Sequence, residues 1–452
     1  MKLKPLALVA SILVASTMAQ AAENPVEAAL KVEGALVTQP IKTAKGSYTP
    51  EFVDQARESF NNFHWQMGGD HAVYYNMYMN EFTQSALAAP NEEYKPLVKN
   101  INPELGKMKV ETKSKGKLTL DEYMADDRFR TQGFMLVHKG EIVYQAYPGM
   151  NPTDRHIWAS SAKTTVGLIM SQLVDEGKVD TSQVITHYVP ELKNTVWDDI
   201  SVLDVLNHTT GLDNEETLQS ILDSDSSVVR LFGSLLGSPR AKTGELESWK
   251  GVARDTEKLD GEGPGEIFRY ASINTMVLTQ LIENIEGKTW TRLFEERVWG
   301  KMTARQPAVF NLTPDGSAVS LGLMLTTLED MARFGMLFTP SWDKAAVEQV
   351  VTPTVLNRIF TSGDPRTHEG STKQKSAQGS FNEPSTSQSY QFDFIFEDGG
   401  MAKSGNLGQM IYVDPNRDFV GVVFSTNPYH SGYGESKAPA FMRMAAKKLA
   451  GK

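Results

Sequence analysis

Two side chains that could act as nucleophile and base lie three positions apart, at Ser160 and Lys163. Apolar residues then recur with the 3.6-residue period of a helix, at Val166, Ile169, Met170, Leu173 and Val174. Residues three apart share one face of a helix, so the hydroxyl and the amine would be neighbours. A serine becomes nucleophilic when a base takes its proton, and a partly desolvated lysine can do so. Ser161 lacks such a partner, because Thr164 is three residues further on.

Two later stretches carry side chains of matching chemistry. After a Pro-Gly turn at residues 264–265, the chain runs extended and a helix is predicted to start just after Tyr270. The phenol and the Ser272 hydroxyl would then lie on the same side of the chain. Residues 403–409 read Lys-Ser-Gly-Asn-Leu-Gly-Gln on a late strand, where the glycines would allow a substrate backbone to approach closely.

The order of these motifs resembles that of serine β-lactamases and penicillin-recognising enzymes. The three motifs are Ser160-x-x-Lys163, Tyr270-x-Ser272 and Lys403-Ser404-Gly405. Three flanking stretches are similar to the class C-like esterase and D,D-peptidase branch of that superfamily, namely residues 207–212, 264–270 and 326–335. Tyr-Ala-Ser in place of Tyr-Ala-Asn, together with the pattern of residues 405–415, looks most like the 6-aminohexanoate-dimer (nylon-oligomer) hydrolase subgroup. The resemblance covers about residues 118–452.

The resemblance implies acyl-enzyme chemistry. Ser160 would attack an ester or amide carbonyl, and Lys163 and Tyr270 would share the role of base. A phenol normally titrates near ~10, so it needs nearby positive charge, which Lys163 and Lys403 could supply. Ser272 and Ser404 would hold the hydrogen bonds of the proton relay.

The same resemblance implies where substrate would bind. The backbone N–H groups of Ser160 and Asn406 would form the oxyanion hole, beside Gly405. Asp213 and the two glutamates that follow at 215 and 216 could face the pocket and bind a substrate ammonium, or could be solvated loop charges.

Cofactor and metal sites are not indicated by the sequence. His208 could suggest a Ser-His pair, but His-Thr-Thr-Gly is interpreted as a structural turn. The other histidines show no metal-ligand spacing, so we expect neither a metal nor a cofactor.

The distribution of strand and helix patterns predicts the fold. Strand patterns occur at residues 134–145 and again at 390–425, with helices between them. This favours an α/β (α+β) fold, in which one antiparallel sheet is built from both ends of the domain, is flanked by helices and carries an all-helical subdomain at about 180–320. Residues 363–389, rich in Ser, Thr, Gln and Gly, are interpreted as a long surface loop. Residues 22–117 read as an N-terminal arm, either packed on the body or acting as a lid or dimer contact.

Composition bears on location and partners. Residues 1–21 have a basic start, an apolar run and an Ala-x-Ala end, which predicts a signal peptide cleaved after Ala21 and a periplasmic or secreted protein with no membrane anchor. The chain has no cysteine, which excludes disulfides and a lipid-modified N-terminus. A net charge of −10 argues against nucleic acid as a partner. The oligomeric state stays open.

Together these features predict an exported serine hydrolase that acts on carboxylic esters or small linear amides. One alternative is a D,D-peptidase, penicillin-binding or β-lactamase activity. It is weakened by Ser272, which replaces an amide that β-lactamases use toward the acylamide side chain. A second alternative is a catalytically silent binding protein on the same fold. The natural substrate cannot be read from the motifs.

Overall fold

A seven-stranded antiparallel sheet forms the centre of the molecule, in the order β5-β4-β13-β12-β11-β10-β9. The computed structural model describes residues 34–91, 93–428 and 436–451, so the predicted signal peptide lies outside the described residues. The strands are β4 (Thr131–His138), β5 (Glu141–Ala146), β9 (Ser387–Ser389), β10 (Phe392–Ile395), β11 (Met401–Gly405), β12 (Gln409–Asp414) and β13 (Phe419–Ser425).

The sheet is built from both ends of the domain, as predicted. β4 pairs with β13, opposite Met135 and Val422 among others, so the first and last parts of the domain meet at its centre. The β4–β5 hairpin turns at Lys139 and Gly140, both with positive φ. The fold class expected from the sequence is therefore confirmed.

Alternation along β4 separates two apolar layers, because successive strand residues point to opposite faces. Phe134 and Leu136 pack in a layer with the closing helix, whereas Met135 and Val137 belong to the larger core. Four helices flank the sheet: α6 (Lys163–Asp175), α14 (Leu328–Met336), α15 (Pro353–Thr361) and the closing α18 (Ala438–Leu449).

Helices dominate the middle of the chain. They are α7 (Ile185–Tyr188), α8 (Val202–Asn207), α9 (Leu218–Leu222), α10 (Ser227–Leu235), α11 (Trp249–Arg254), α12 (Ser272–Glu286) and α13 (Trp290–Arg297). The side chains of α12 from Ser272 to Ile282 are all buried, so this helix is the core of the helical region. No helix of the described residues is long and apolar enough to cross a bilayer.

The described part of the N-terminal arm packs on the body of the protein. Its strand β1 (Ser85–Ala88) adds an edge to a four-stranded sheet with β6 (His156–Ile157), β7 (Ala308–Asn311) and β8 (Met324–Thr326), in the order β1-β7-β8-β6. A hairpin of β2 (Lys109–Thr112) and β3 (Gly116–Thr119) follows. The arm's helices are α1 (Pro50–Ser59), α2 (Asn62–Met67), α3 (Asp70–Tyr78) and α4 (Pro103–Gly106), and α5 (Leu120–Ala125) comes after β3.

The expectation of a long surface loop at 363–389 is wrong. This stretch forms α16 (Pro365–His368), α17 (Thr372–Phe381) and β9, and it buries Ala377 and Phe381 against the sheet. Ser371 caps α17 by accepting a hydrogen bond from the Gln374 backbone N–H. Two apolar anchors and a cap are enough to order a segment whose composition is otherwise polar.

Candidate active site

The pair at Ser160 and Lys163 is formed. A 3₁₀ turn, Ala159–Ala162, runs directly into α6. The Lys163 ammonium lies 3.0 Å from the Ser160 hydroxyl oxygen and donates to the Leu321 carbonyl at 2.7 Å. The lysine is fully buried, and this burial lowers its pKa well below the usual range, with Glu216 opposing the shift. A neutral amine beside a hydroxyl can accept that hydroxyl's proton.

The backbone around Ser160 is held by close packing. Ala159 has φ +44°, a left-handed conformation that costs free energy in a residue other than glycine. Gly405 on β11 lies against this turn, and a Cβ there would come within 2.7 Å of the Trp158 carbonyl oxygen. The Ser161 hydroxyl also donates to the Lys403 carbonyl at 3.1 Å. The close approach that Gly405 permits is thus to the protein's own backbone, which ties the serine turn to β11.

Tyr270 lies among three lysine ammonium groups. Lys373, Lys403 and Lys163 lie 4.3, 4.4 and 5.3 Å from the centroid of its ring. The His208 ring packs beside it at 5.0 Å between centroids. Positive charge at this range favours the phenolate form of a tyrosine.

A buried carboxylate joins two of these lysines. Lys403 Nζ lies 2.6 Å from Asp393 Oδ1, and Lys373 Nζ lies 2.9 Å from Asp393 Oδ2. Burial lowers the pKa of Lys403 to about 8, although Asp393 acts to raise it. The two lysines hold the pKa of Asp393 well below its usual range despite its burial. Asp393 also accepts hydrogen bonds from the backbone and hydroxyl of Ser404.

The two serines expected to form the proton relay have different surroundings. Ser404 Oγ accepts from Lys373 Nζ at 2.9 Å, in addition to its bond to Asp393. Ser272 is buried, and its hydroxyl has no hydrogen-bond partner within the described ranges. Its backbone N–H donates to Glu216 Oε1 at 2.6 Å. The structure therefore places both serines near the site but links only Ser404 to the lysines.

The family model described as Beta-lactamase matches residues 118–440. The chain belongs to the beta-lactamase family. Its relatives include the 6-aminohexanoate-dimer hydrolase of Paenarthrobacter ureafaciens, which is 29% identical over 301 residues, or 66% of this chain and 73% of the relative. A stretch of 62 residues, 13% of this chain and 16% of the relative, is 37% identical to a beta-lactamase of Providencia stuartii.

Solved structures show the same fold. A Bacillus anthracis protein provisionally described as a 6-aminohexanoate-dimer hydrolase superposes with a TM-score of 0.65 at 22% identity, covering 83% of this chain and 94% of that one. EstCE1, a hydrolase with promiscuous acyltransferase activity, gives a TM-score of 0.51 at 15% identity, covering 72% and 96%. The chain is therefore a hydrolase of the β-lactamase fold, close in sequence to the 6-aminohexanoate-dimer hydrolases.

The residues predicted to bind substrate in this β-lactamase-family hydrolase differ in their surroundings. Asn406 directly follows β11, and its side-chain amide donates to the Gln66 carbonyl of the arm at 3.1 Å. Asp213 has an exposed side chain, and its backbone N–H donates to the Glu257 carbonyl. Among Asp213, Glu215 and Glu216, Glu216 is the residue whose charge opposes the lowered pKa of Lys163.

Glu215 and His208 serve the framework around Tyr270. Glu215 accepts from Arg269 at 2.8 Å, which fixes the segment before the tyrosine. His208 has φ +56° at the end of α8 and accepts from the Ala271 backbone N–H. Burial and the nearby lysines hold its pKa well below the usual range. In the described ranges no three His, Cys, Asp or Glu side chains form a group that could hold a metal ion.

Two residues of the site, Lys373 and Asp393, were not predicted from the sequence. Lys373 lies in the stretch interpreted as a loop, where Ser371-x-x-Gln374 has the spacing of a helix cap and could have indicated α17. Asp393 lies between two phenylalanines of β10, and a charged residue inside an apolar strand indicates a buried partner.

Proposed function

We propose that this protein is an exported serine hydrolase that cleaves carboxylic esters or small linear amides through an acyl-enzyme on Ser160. The observation that carries the proposal is the contact of Ser160 with the amine of Lys163, which is buried and whose pKa is lowered by that burial. A hydroxyl next to a desolvated amine is an activated nucleophile.

The proposed reaction has two halves. In the first, Ser160 Oγ attacks the substrate carbonyl carbon while Lys163 or Tyr270 takes the hydroxyl proton. The backbone N–H groups of Ser160 and Asn406 would bind the developing oxyanion, and one such donor contributes about 3 kcal/mol to lowering the barrier. Tyr270 would then pass a proton to the leaving oxygen or nitrogen, so that the C–O or C–N bond breaks. In the second half, water attacks the acyl carbon while the same base takes a proton from it. The bond from this carbon to Ser160 Oγ then breaks, Oγ regains the proton and the carboxylic acid is released.

The preference for linear substrates is supported by sequence similarity. The P. ureafaciens relative is a hydrolase named for the 6-aminohexanoate dimer, a linear amide. Ser272 stands where the β-lactamase motif has asparagine, and its hydroxyl does not replace an amide's two donors. These two features favour linear esters and amides over β-lactams.

A matched pair of serine variants tests the nucleophile. We expect Ser160→Ala to abolish both covalent labelling by a fluorophosphonate and hydrolysis of p-nitrophenyl esters. Ser161→Ala removes a hydroxyl of the same size from the adjacent residue, and it should still be labelled. Labelling of the Ser160→Ala protein at the rate of the unchanged protein would refute the proposal.

A substrate panel separates the alternatives. Purified protein would be assayed with p-nitrophenyl esters of increasing acyl length, linear amides and a cephalosporin, and exposed to a fluorescent penicillin. Turnover of esters or amides without a stable penicillin adduct supports the proposal. A stable adduct would indicate a penicillin-binding activity, and absence of turnover and labelling would indicate a binding protein.

Export is tested on the full chain. Expression with residues 1–21 present should yield a mature protein in the periplasm or medium whose first residue is Ala22. An uncleaved chain that stays in the cytoplasm would contradict this part of the proposal.

A further inference from the structure

Lys373 reaches the candidate site from outside the three motifs. It lies on α17, in the second position of the helix, and its ammonium contacts Asp393 Oδ2 and Ser404 Oγ, each at 2.9 Å. The same ammonium lies 4.3 Å from the centroid of the Tyr270 ring. One side chain therefore joins β10, β11 and the tyrosine.

The three lysines differ in their access to solvent. The side chains of Lys163 and Lys403 are fully buried, whereas that of Lys373 is 18% exposed. The side chain of Lys373 therefore contacts both water and the polar groups Asp393 and Ser404, whereas the other two lysines have no contact with water.

The charge of Lys373 acts on both possible bases. It is among the causes that lower the pKa values of Lys163 and Lys403, and it faces the Tyr270 ring. Removing it would make each of these groups easier to protonate, whichever of Lys163 and Tyr270 is the base.

We propose that Lys373 is a positioning residue of the reaction, which holds Ser404 and Asp393 beside Tyr270 and supplies a positive charge that favours the deprotonated form of the general base. The proposal rests on the proposed function. It gives a role to residues 372–381, which match none of the motifs on which the resemblance to the family is based.

Several other ionisable groups surround this cluster, and their states bear on the test. They are Lys163 on α6, Lys403 on β11, Asp393 on β10, Glu216 before α9, His208 after α8 and His368 at the end of α16. Burial lowers the pKa of His368 to about 4, and the pKa values of His208 and Asp393 are also depressed. Above pH 6, a change in the profile therefore reports the lysines and the tyrosine.

The experiment measures the second-order rate of fluorophosphonate labelling at Ser160, and kcat and KM on an ester, between pH 6 and 10. For Lys373→Met we expect kcat to decrease about tenfold, while KM stays within about twofold of its original value. We also expect the acid limb of both pH profiles, where the rate falls because the base is protonated, to move up by about half to one pH unit. Lys373→Arg keeps the positive charge, so the acid limb of its profiles should lie close to that of the unchanged protein.

Lys375→Met is the matched control. It makes the same substitution two residues further along α17, at an exposed side chain, and should leave rates and profiles unchanged. Thermal unfolding of each variant reports folding.

Each outcome decides between the two proposals. If Ser160→Ala labels as fast as the unchanged protein, the proposed function fails. If Ser160 is the labelled residue but Lys373→Met keeps the original limb, or Lys373→Arg does not rescue it, the role of Lys373 fails alone. A decrease in kcat without a shift of the limb would show that Lys373 only supports the structure.

Discussion

Lys163 and Lys403 are two fully buried lysines that face the same tyrosine, yet their partners differ. Lys163 contacts only oxygen atoms without formal charge, those of Ser160 and Leu321, and within the described residues no carboxylate lies within ion-pair distance of it. Lys403 forms an ion pair with Asp393 at 2.6 Å. Burial lowers both pKa values, well below the usual range for Lys163 and to about 8 for Lys403.

Under the proposed mechanism, this difference would let one site contain a base and a cation of the same residue type. Desolvation favours the neutral amine in both cases. At Lys403 a carboxylate in direct contact opposes it, whereas at Lys163 the opposing charge of Glu216 acts without an ion pair. Lys163 therefore loses its proton more readily than an ordinary lysine, as its proposed role as acceptor of the Ser160 proton requires. Lys403, paired with Asp393, keeps its proton below pH 8 and contributes positive charge.

The largest effect is expected from removing the amine of Lys163, one of the two proposed bases. Lys163→Met keeps the volume of the side chain and deletes the amine, so kcat/KM on a p-nitrophenyl ester should decrease about a thousandfold. The control is Lys178→Met, at an exposed lysine beyond the end of α6, and its kcat/KM should stay within twofold of that of the unchanged protein. Activity within tenfold of the unchanged protein would mean that Lys163 is not the base.

Removing the counter-charge should cost stability as well as activity. Asp393→Asn leaves Lys403 buried without its carboxylate, and the free energy of unfolding in urea should decrease by about 3 kcal/mol. Because the uncompensated charge is the cause, Asp393→Asn combined with Lys403→Met should lose less than Asp393→Asn alone. An equal or greater loss in the double variant would place the effect in packing instead.

Stability should depend on pH through Lys403. Its folded pKa of about 8 lies below the unfolded value of a lysine, so the unfolded chain binds more protons between these values and stability increases with pH. From pH 7.5 to 9.5, the unfolding free energy of the unchanged protein should rise by about 1–2 kcal/mol relative to Lys403→Met. A difference between the two proteins that stays constant with pH would contradict the lowered pKa.

The smallest effect is expected at Glu216, whose charge opposes the shift at Lys163. Glu216→Gln keeps an oxygen for the Ser272 N–H but removes the charge, so the acid limb of kcat/KM should move down by a few tenths of a pH unit. This direction is opposite to that expected for Lys373→Met. The control is Glu257→Gln, at an exposed carboxylate, and its pH profile of kcat/KM should not move.

The sequence was sufficient for the fold class and for the parts of the site that lie in local patterns. The helical period after Lys163 and the strand patterns at both ends depend on neighbouring residues, and the structure contains α6, the β4–β5 hairpin and β11 to β13 where they were expected. The contact between Ser160 and Lys163 follows from helical spacing alone. The roles of Ser272, Asn406 and Asp213 stay predictions.

What could not be predicted depends on contacts between distant segments. Asp393, Lys373 and Ser404 belong to three different elements, and nothing in their spacing requires that they meet. The polar composition of the 363–389 segment predicts a loop, whereas its order depends on a few buried side chains such as Phe381. Composition measures the average of a segment, and a few apolar contacts can override it.

The contact between Asn406 and the Gln66 carbonyl has a consequence for where the chain can be shortened. Leu118 is the first residue that matches the family model, so it is the natural place to begin a truncated protein. A chain starting there would lose this anchor for Asn406 and would leave the β7 edge without β1. Libraries and fusions built on this enzyme should therefore keep the part of the arm that carries Gln66 and β1, although no motif marks it as part of the catalytic unit.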